Sequence, residues 1–453
     1  MQGGRASYYT LGCKLNFSET SQLTQILESA GFETTAFGLP SDIVVINTCS
    51  VTENADKRCR KIVSEARRIS PQARIVVVGC YAQLKPEQIA KIPGVYAVLG
   101  AADKFAIAEV AASAKAGGWI KTRPLAEANV FVPSHSRGER TRTFMKVQDG
   151  CDYTCAFCTI PLARGASRSP KIAQLVQQAE GIAATGVKEI VLTGVNIGDF
   201  GLQADADGNR RRAETFYDLV QALDSVAGVE RLRISSIEPN LLSDEIIRFV
   251  ADSRLFVPHF HIPLQSGSDA VLAKMRRRYK REVFASRIRA IKAAMPDCCI
   301  GVDVIVGFPG ETEADFEETY AFLVDLEPSY LHVFTYSERA NTHALSIKPS
   351  VPTTVRAERS TRLHILSDKL KRAFYQRFVG QQRQVLWESG DAEHGLTGFT
   401  DNYLKVTAPY DPELQNELTA VKLAAFNAET MLMETSAVNA GTSVIADLDL
   451  LTA

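Results

Sequence analysis

The chain has 453 residues, which is too many for one hydrophobic core of ordinary size, so we expect roughly two to four domains. Hydrophobic residues make up 45% and charged residues 23% of the sequence, a balance that excludes a disordered or fibrous protein. The net charge of −1 excludes binding of nucleic acid through overall positive charge, so any such surface has to be local.

The cysteines are interpreted together with the expected compartment. The start of the chain does not have the pattern of a signal peptide, and no apolar run reaches the roughly 18 residues of a transmembrane helix. We therefore expect a cytoplasmic protein without membrane association, in which thiols stay reduced. Nine cysteines in such a protein indicate metal binding or catalysis rather than disulfides.

Residues 1–125 predict an α/β domain with a Rossmann-like parallel sheet. Candidate strands are Ser7–Leu11, Ile43–Ile46 and Arg74–Val78, and helices are predicted over Glu19–Ala30 and Glu53–Ile69. Strands that alternate with helices indicate βαβ units, whose strands run parallel. The polar residues 126–140 predict a linker.

Residues 141–375 predict an open (β/α) partial barrel. The strand–helix alternation continues here, and a long helix is predicted over Val355–Phe378. Residues 205–214, rich in Asp, Gly and Arg, predict an exposed loop. The candidate strands are Thr143–Gln148, Glu189–Thr193, Arg231–Ser235, Phe260–Pro263, Gly301–Val306 and Tyr330–Phe334.

Residues 376–453 predict a small β-barrel, because short strands alternate with turns and no strong helix is present. The candidate strands are Val385–Glu388, Gly398–Phe399, Tyr403–Val406 and Ala420–Leu423. This part carries eleven Asp or Glu against four Lys or Arg, whereas a barrel that binds RNA needs a positive face. RNA contacts are therefore expected locally, near Arg383 and Lys405, or the barrel contributes little to RNA affinity.

The strongest chemical signal is the run Cys151, Cys155 and Cys158, spaced C-x-x-x-C-x-x-C directly after a predicted strand. Three thiolates on one loop can hold three irons of a [4Fe–4S] cluster and leave the fourth iron open. An open iron can chelate S-adenosylmethionine, whose reductive cleavage gives a radical, so these are candidate catalytic residues. Alternatives are core cysteines and a structural zinc site, which needs a fourth ligand, yet the next Cys or His is His259.

A second group, Cys13, Cys49 and Cys80, follows the three predicted strands of the first domain. The carboxyl ends of parallel strands meet at one sheet edge, so the three thiols can converge there with Asn16. Three ligands again indicate a cluster with an open iron, able to hold an exogenous sulfur. The alternative is that the three are ordinary core residues, since free cysteine is often buried.

With these motifs the chain resembles the radical S-adenosylmethionine methylthiotransferases over nearly its whole length. The tail resembles a TRAM domain, an RNA-binding β-barrel, through Gly395–Gly398 and Asn402-Tyr403. The motifs that carry the main resemblance are Leu11-Gly-Cys13-Lys-Leu-Asn16, Asn47-Thr-Cys49, Gly79-Cys80-Tyr-Ala-Gln83 and Gly150 through Cys158.

The resemblance implies two [4Fe–4S] clusters and S-adenosylmethionine as cofactors. One S-adenosylmethionine methylates a sulfur held on the cluster of Cys13, Cys49 and Cys80. A second is cleaved at the other cluster, its radical removes hydrogen from a substrate carbon, and the methylthio group is transferred. The implied partners are tRNA, a reducing electron donor such as flavodoxin or ferredoxin, and an unidentified sulfur donor.

Residues 159–169 and 52–57 most resemble the branch that modifies N6-threonylcarbamoyladenosine in tRNA, at position 37 beside the anticodon. Two other branches remain open, acting on isopentenyladenosine in tRNA or on an aspartate of a ribosomal protein. An alternative outside enzymes is an RNA-binding protein stabilised by a structural metal.

Further candidates follow from position. The cofactor-binding candidates at strand ends and in the cluster loop are Phe157, Thr193, Gly194, Asn196, Arg233, Ser235 and Gln265. The basic run Arg276, Arg277, Arg278 and Lys280 predicts a phosphate-binding stripe, although such runs are often merely solvated. Strand alternation explains His259 and His261 better than a metal pair does, and Cys59, Cys298 and Cys299 are assigned to packing.

Overall fold

The computed structural model describes residues 3–49, 53–113, 117, 119–127, 130–137, 141–204 and 209–436. In chain order it contains a parallel sheet, a partial β/α barrel and a closed β-barrel, which confirms the predicted fold class. Thr52, residues 128–129 and 138–140 of the predicted linker, residues 205–208 of the predicted loop and residues 437–453 lie outside the described residues. No helix within the described ranges is long and apolar enough to cross a membrane.

The N-terminal sheet has six parallel strands: β1 (Arg5–Thr10), β2 (Glu33–Thr35), β3 (Ile43–Thr48), β4 (Arg74–Gly79), β5 (Val95–Leu99) and β6 (Trp119–Lys121). Its helices are α1 (Lys14–Ser29), α2 (Glu53–Ile69), α3 (Cys80–Leu84), α4 (Pro86–Ala90) and α5 (Ile107–Ala112). The strand order is β2-β1-β3-β4-β5-β6. Buried clusters cover both faces, which explains the unbroken apolar runs of β3 and β4. The sequence had predicted β1, β3 and β4 and missed the other three strands.

The partial barrel has the six parallel strands that were predicted: β7 (Arg142–Lys146), β8 (Glu189–Thr193), β11 (Arg231–Ile234), β12 (His259–Gln265), β13 (Cys299–Val306) and β14 (Tyr330–Thr335). The helices are α6 (Ile160–Arg164), α7 (Ile172–Ala183), α8 (Phe216–Leu223), α9 (Asp244–Asp252), α10 (Asp269–Lys274), α11 (Arg281–Ala294), α12 (Glu313–Leu326) and α13 (Thr353–Gln376). Ser236 pairs with His261 and thereby joins the β7-β8-β11 sheet to the β12-β13-β14 sheet.

The prediction of a loop over residues 205–214 is wrong in part. Strand β10 (Arg210–Arg212) lies within this range and pairs antiparallel with β9 (Leu202–Ala204). Arg210 forms a salt bridge of 2.7 Å with Asp152 in the first cysteine loop, so its charge is used within the protein.

Side chains alternate between the two faces of the partial barrel. On β12, Phe260 and Ile262 are fully buried in the outer core, whereas His261 lies on the opposite, inner face. The same alternation places Asp303 and His332 on the inner face, where they contact His261 or each other. Related barrels fill this lumen with branched aliphatic residues, so the polar lumen here indicates space for a polar ligand.

The C-terminal barrel is closed in the order β15-β16-β17-β19-β18. Its strands are β15 (Gln382–Trp387), β16 (Leu396–Thr400), β17 (Lys405–Ala408), β18 (Leu418–Asn427) and β19 (Leu432–Thr435). The barrel covers the amino ends of the partial-barrel strands, where Arg231 donates to the carbonyl of Phe399 at 3.1 Å. Arg383, near which local RNA contacts are predicted, forms salt bridges with Asp297 and Asp401 at this interface, so its own charge is neutralised within the protein.

The segment 130–137, predicted as linker, is packed between α1 and β7. The Lys146 amide donates to the carbonyl of Ser134 at 3.0 Å, and the Ser136 amide donates to the carbonyl of Phe144 at 3.0 Å. The Ser134 hydroxyl lies 3.1 Å from the hydroxyl of Ser18 on α1. This segment therefore helps to hold the N-terminal domain against the first strand of the partial barrel.

Candidate functional site

The first cysteine group lies on the loop that follows β7. Gly150 precedes this loop with φ of +72°, and a Cβ at this position would lie 2.0 Å from the carbonyl oxygen of Ala166. Only glycine permits this conformation and this close approach of two backbones. The Cys151 amide donates to the carbonyl of Gly165 at 3.0 Å, which closes the loop against the end of α6.

Each sulfur of this group accepts an N–H hydrogen bond. The backbone amides of Tyr153 and Ile160 lie 3.4 Å from the sulfurs of Cys151 and Cys158, respectively. The guanidinium of Arg277 donates to the sulfur of Cys155 at 3.1 Å. Hydrogen bonds of this kind support thiolate ligands and tune the potential of iron–sulfur clusters.

Burial raises the pKa of Cys151 and Cys158 to about 12 and also raises the pKa of Cys155. The metal-free loop therefore holds neutral thiols, and metal binding has to displace their protons. Three thiols on one loop, each with an N–H donor, fit three iron ligands of a [4Fe–4S] cluster.

A cavity of about 250 Å³ opens beside this loop. Phe157 and Gln265, both predicted to bind the cofactor, line it together with aromatic side chains of β14 and the turn that follows. The ring of Phe157 meets the ring of Phe308 edge to face, with centroids 6.3 Å apart. A mainly apolar cavity with a single amide suits a nucleoside such as the adenosyl part of S-adenosylmethionine.

Gln148 ties the turn after β8 to the cysteine loop. Its side-chain oxygen accepts the amides of Val195 and Asn196 at 3.0 and 2.9 Å, and its side-chain nitrogen donates to the carbonyl of Gly150 at 2.7 Å. These three hydrogen bonds hold Thr193, Gly194 and Asn196, which were predicted to bind the cofactor, next to the cysteine loop. The Oδ1 atom of Asn196 is buried and has no partner among the described residues, so it can accept a donor from a ligand.

Arg233 lies on the inner face of β11 and Ser235 directly follows this strand, and the structure corrects the prediction for Arg233. Its guanidinium donates to Glu189 at 2.7 and 3.1 Å and to the carbonyl of Asp401 at 3.2 Å. Arg233 therefore lies near the C-terminal barrel rather than at the carboxyl ends of the partial-barrel strands. Its guanidinium donors are already used within the protein. Ser235 is buried at the end of β11, closer to the cysteine loop.

The second cysteine group converges at the carboxyl edge of the N-terminal sheet. A Cβ on Gly12, which has φ of +113°, would lie 2.7 Å from the Cβ and 3.2 Å from the sulfur of Cys49. The loop of Cys13 therefore packs directly against Cys49. Cys80 begins α3 and interacts electrostatically with Cys13. Asn16 joins two of these loops, because its amide donates to the carbonyls of Leu11 and Thr48 at 2.7 and 3.2 Å.

Arg164 lies between the two cysteine groups. Its guanidinium donates to Glu19 at 3.0 and 3.1 Å, to Asp149 at 2.9 Å and to the side-chain oxygen of Asn16 at 2.8 Å. It also interacts electrostatically with the thiol of Cys80. Glu19 and Asn16 follow Cys13 on α1, whereas Asp149 and Arg164 flank the Cys151 loop. Arg164 thus links both groups through buried contacts.

Glu19 is the centre of this buried charge network. Lys104 lies 2.7 Å and Lys146 lies 3.5 Å from its carboxylate, and all of these side chains are almost fully buried. Burial alone would raise the pKa of Glu19, but Arg164, Lys104 and Lys146 hold it far below the usual value. This network is not among the predicted site residues. The sequence feature that indicates the network is Glu19, a carboxylate that shares the buried face of α1 with Leu15, Leu23 and Leu27.

The barrel lumen holds a second polar cluster. The Nε2 atom of His261 lies 2.8 Å and the Nδ1 atom of His332 lies 3.3 Å from the same oxygen of Asp303. These contacts hold the pKa of Asp303 well below its usual range in spite of burial. Lys14 of α1 lies near Arg142 and Arg233, and burial together with the charges of these two residues lowers its pKa to about 8.

The predicted phosphate-binding stripe is corrected at Arg277. Its side chain is buried, forms a salt bridge with Glu238 and donates to Cys155, so it faces the cysteine loop and not solvent. Arg276, Arg278 and Lys280 are exposed, and Arg278 packs over the ring of Tyr153 at 4.0 Å. Cys59, Cys298 and Cys299 are buried in hydrophobic clusters, in line with packing.

Comparisons with known proteins match both halves of this site. Residues 5–100 match the uncharacterized protein family UPF0004, and residues 145–323 match the radical SAM superfamily. The chain is 38% identical to threonylcarbamoyladenosine tRNA methylthiotransferase MtaB of Bacillus subtilis, across 92% of this chain and 93% of that protein. It is 34% identical to the protein of the same name from Aquifex aeolicus, across 89% and 96% of the two chains.

A tRNA-2-methylthio-N(6)-dimethylallyladenosine synthase from Parafrankia is also 34% identical, across 91% of this chain and 85% of that protein. Among solved structures, the radical S-adenosylmethionine methyltransferase TsrM from Kitasatospora setae superposes with a TM-score of 0.53. That match covers 73% of this chain and 72% of TsrM at 14% identity, and it supports the fold alone.

Proposed function

Because this chain belongs to the family of radical S-adenosylmethionine methylthiotransferases, we propose that it modifies N6-threonylcarbamoyladenosine at position 37 of tRNA. In the product, a methylthio group replaces the hydrogen on C2 of the adenine. The observation that carries the proposal is the pair of three-cysteine groups that the buried Arg164 joins. The chain is 38% identical to the Bacillus subtilis relative named for threonylcarbamoyladenosine and 34% identical to the dimethylallyladenosine synthase, which favours the threonylcarbamoyl branch over the isopentenyl branch.

The enzyme is a transferase that uses S-adenosylmethionine and two [4Fe–4S] clusters. We assign one cluster to Cys151, Cys155 and Cys158 and the other to Cys13, Cys49 and Cys80. When bound, these groups supply the 5′-deoxyadenosyl radical at the first site and the methylthio sulfur at the second.

The chain's own residues position and shield the reactants. Phe157 and Gln265 line the cavity proposed for the adenosyl group, and Asn196 offers an unpaired oxygen to the amino group of S-adenosylmethionine. Arg277 stabilises the Cys155 thiolate, which favours the ligated form of the loop. Arg164 and Glu19 hold the two cysteine groups in one orientation, because a radical reaction at a single carbon needs both centres aligned.

The partners proposed are tRNA, a low-potential electron donor such as flavodoxin or ferredoxin, and a sulfur donor. Since tRNA is the substrate, we place the enzyme in the cytoplasm. Exposed Arg276, Arg278 and Lys280 beside the cysteine loop are the proposed phosphate contacts, without Arg277.

Cysteine variants test the assignment. The reconstituted enzyme is incubated under reducing, anaerobic conditions with tRNA that carries threonylcarbamoyladenosine, and both 5′-deoxyadenosine and modified nucleoside are measured. Changing Cys151, Cys155 or Cys158 to Ala should abolish 5′-deoxyadenosine formation. Changing Cys13, Cys49 or Cys80 to Ala should spare it and stop methylthiolation. Methylthiolated product from a Cys13→Ala enzyme would refute the second cluster site.

A further inference from the structure

Lys14 is a basic residue at the lumen that lacks an ion-pair partner. It is the first residue of α1, directly after Cys13, and it is half-buried. Its ammonium interacts electrostatically with Arg142 and Arg233 of the lumen wall and with Glu189. Within the described part of the chain, Lys14 makes no hydrogen bond and no salt bridge.

The neighbouring carboxylates do not neutralise it. Glu189 is bound by two nitrogens of Arg233, and Glu388 is bound by Arg142. Lys14 therefore leaves a net positive charge beside the Cys13 loop. A desolvated ammonium without a counterion is unfavourable, and an anionic group of a ligand can supply the missing charge.

The polar cluster of the lumen is open to such a ligand. His261, Asp303 and His332 have their ligand atoms within 4.8 Å of one another. The His332 side chain is 53% exposed although it lies on the inner face of β14, so the lumen in front of it is not filled by side chains. Exposed imidazole and carboxylate groups can donate to and accept from hydroxyl and amide groups.

The threonylcarbamoyl group offers matching chemistry. It carries one carboxylate, one hydroxyl and two urea-type N–H groups, whereas a dimethylallyl group is apolar and uncharged. On the basis of the proposed function, we propose that Lys14, Asp303 and His332 form the subsite that binds the threonylcarbamoyl group of the substrate. Lys14 binds the carboxylate, and Asp303 with His332 binds the hydroxyl and N–H groups.

The position of the subsite agrees with the chemistry at C2. Lys14 is adjacent to Cys13 of the sulfur-bearing group, and the cavity of Phe157 and Gln265 lies at the carboxyl ends of the same lumen strands. C2 and C6, the carbon that carries N6, both flank N1 on one edge of the adenine. An adenine with C2 beside the Cys13 group therefore holds its N6 substituent close to the same group, within reach of Lys14.

A binding experiment tests the subsite without turnover. The affinity of the cluster-reconstituted enzyme, without reductant, is measured for one tRNA with and without the threonylcarbamoyl group on A37. The wild-type enzyme should prefer the modified tRNA by about tenfold or more, the range for hydrogen bonds to charged groups. Lys14→Gln should reduce this preference to near one, Lys14→Arg should retain most of it, and Asp303→Asn should reduce it several-fold.

Lys61→Gln is the matched control, because it removes the same charge from an exposed position on α2 of the same domain. Its preference should equal that of the wild-type enzyme. Iron and sulfide content establishes that the Lys14 variants keep both clusters, and Asp303→Asn provides a variant outside the cysteine loops. If the wild-type enzyme binds zinc or manganese and the Asp303→Asn variant does not, the proposal is overturned, because a metal ion then occupies the site between His261, Asp303 and His332.

The outcomes separate this inference from the proposed function. If the wild-type enzyme modifies the tRNA and Lys14→Gln and Asp303→Asn keep its preference, the subsite is wrong and the function stands. If the Lys14→Gln enzyme binds both tRNAs equally more weakly, Lys14 contacts another part of the tRNA and the subsite is also wrong. If the wild-type enzyme neither prefers nor modifies this tRNA, both proposals fail.

Discussion

Arg164 and Glu19 are 145 positions apart, and the guanidinium of Arg164 donates two hydrogen bonds to the carboxylate of Glu19, at 3.0 and 3.1 Å. Arg164 ends the helix that follows the Cys151 loop, whereas Glu19 lies on the helix that follows Cys13. Two cysteine groups from separate sheets are thus joined by a pair of fully buried charges. This joint has consequences for stability that can be measured.

Glu19→Gln should destabilise the protein by about 3–5 kcal/mol, because Arg164, Lys104 and Lys146 lose their shared buried counter-charge. The matched control is Glu109→Gln, which breaks an exposed salt bridge of 2.7 Å with Lys121. The control should change the free energy of unfolding by less than about 1 kcal/mol. Anaerobic chemical denaturation measures both variants, and equal effects would contradict a special role for the buried network.

His135 should make stability depend on pH, because burial and Arg137 lower its pKa to about 4. The unfolded chain takes up this proton near pH 6.5 and the folded chain only near pH 4, so stability is complete above about pH 6.5 and falls below it. Since the side chain is partly solvated, we expect a loss of roughly 1 kcal/mol between about pH 7 and pH 5. His135→Gln should lack this component of the loss in urea unfolding. An identical pH dependence in both proteins would assign it to other groups.

Gly150→Ala should prevent assembly of the first cluster, because the added Cβ would lie 2.0 Å from the carbonyl oxygen of Ala166. The control is Gly186→Ala, where φ is +82° and no atom lies within 4 Å of the added Cβ. That change should cost only about 1–2 kcal/mol of backbone strain. Iron per chain should fall from about eight to about four in Gly150→Ala and stay at about eight in the control. Full iron content in Gly150→Ala would refute the need for this close approach.

Arg277→Gln should slow cleavage of S-adenosylmethionine by roughly 10–100-fold, because it removes the N–H donor to the sulfur of Cys155. Loss of a positive donor should also make the cluster harder to reduce. Arg254→Gln is the control, since Arg254 is exposed and precedes β12, outside the cysteine loops. Rates of 5′-deoxyadenosine formation and reduction potentials distinguish the two. If both variants behave like the wild-type enzyme, Arg277 does not act on the cluster.

Much of the architecture follows from local pattern. The apolar runs that precede Cys49 and Cys80 are strands β3 and β4, so the convergence of these thiols at one edge could be predicted from strand ends. The six strands of the partial barrel could be located because each apolar segment is separated from the next by a helical segment. Strands β2, β5 and β6 were missed. Two of them, β2 and β6, have only three residues, which is too short for a clear pattern.

Contacts between distant segments could not be predicted in the same way. The basic run around Arg277 has the composition of a solvated stripe, and only the fold turns Arg277 toward Glu238 and Cys155. The position of Arg233 near the end of a predicted strand indicated a residue at the carboxyl ends of the barrel strands. Instead, the carbonyl of Asp401 in the C-terminal barrel holds its side chain toward the amino ends. In both cases the partner, rather than the local sequence, decides where a long basic side chain lies.

The most direct test of the central claim is nucleoside mass spectrometry of total tRNA from cells with and without the gene for this protein. We predict selective loss of 2-methylthio-N6-threonylcarbamoyladenosine and a matching gain of N6-threonylcarbamoyladenosine, both restored by the wild-type gene. Loss of the isopentenyl analogue instead would contradict the proposed substrate, and an unchanged tRNA profile would contradict the proposed activity on tRNA.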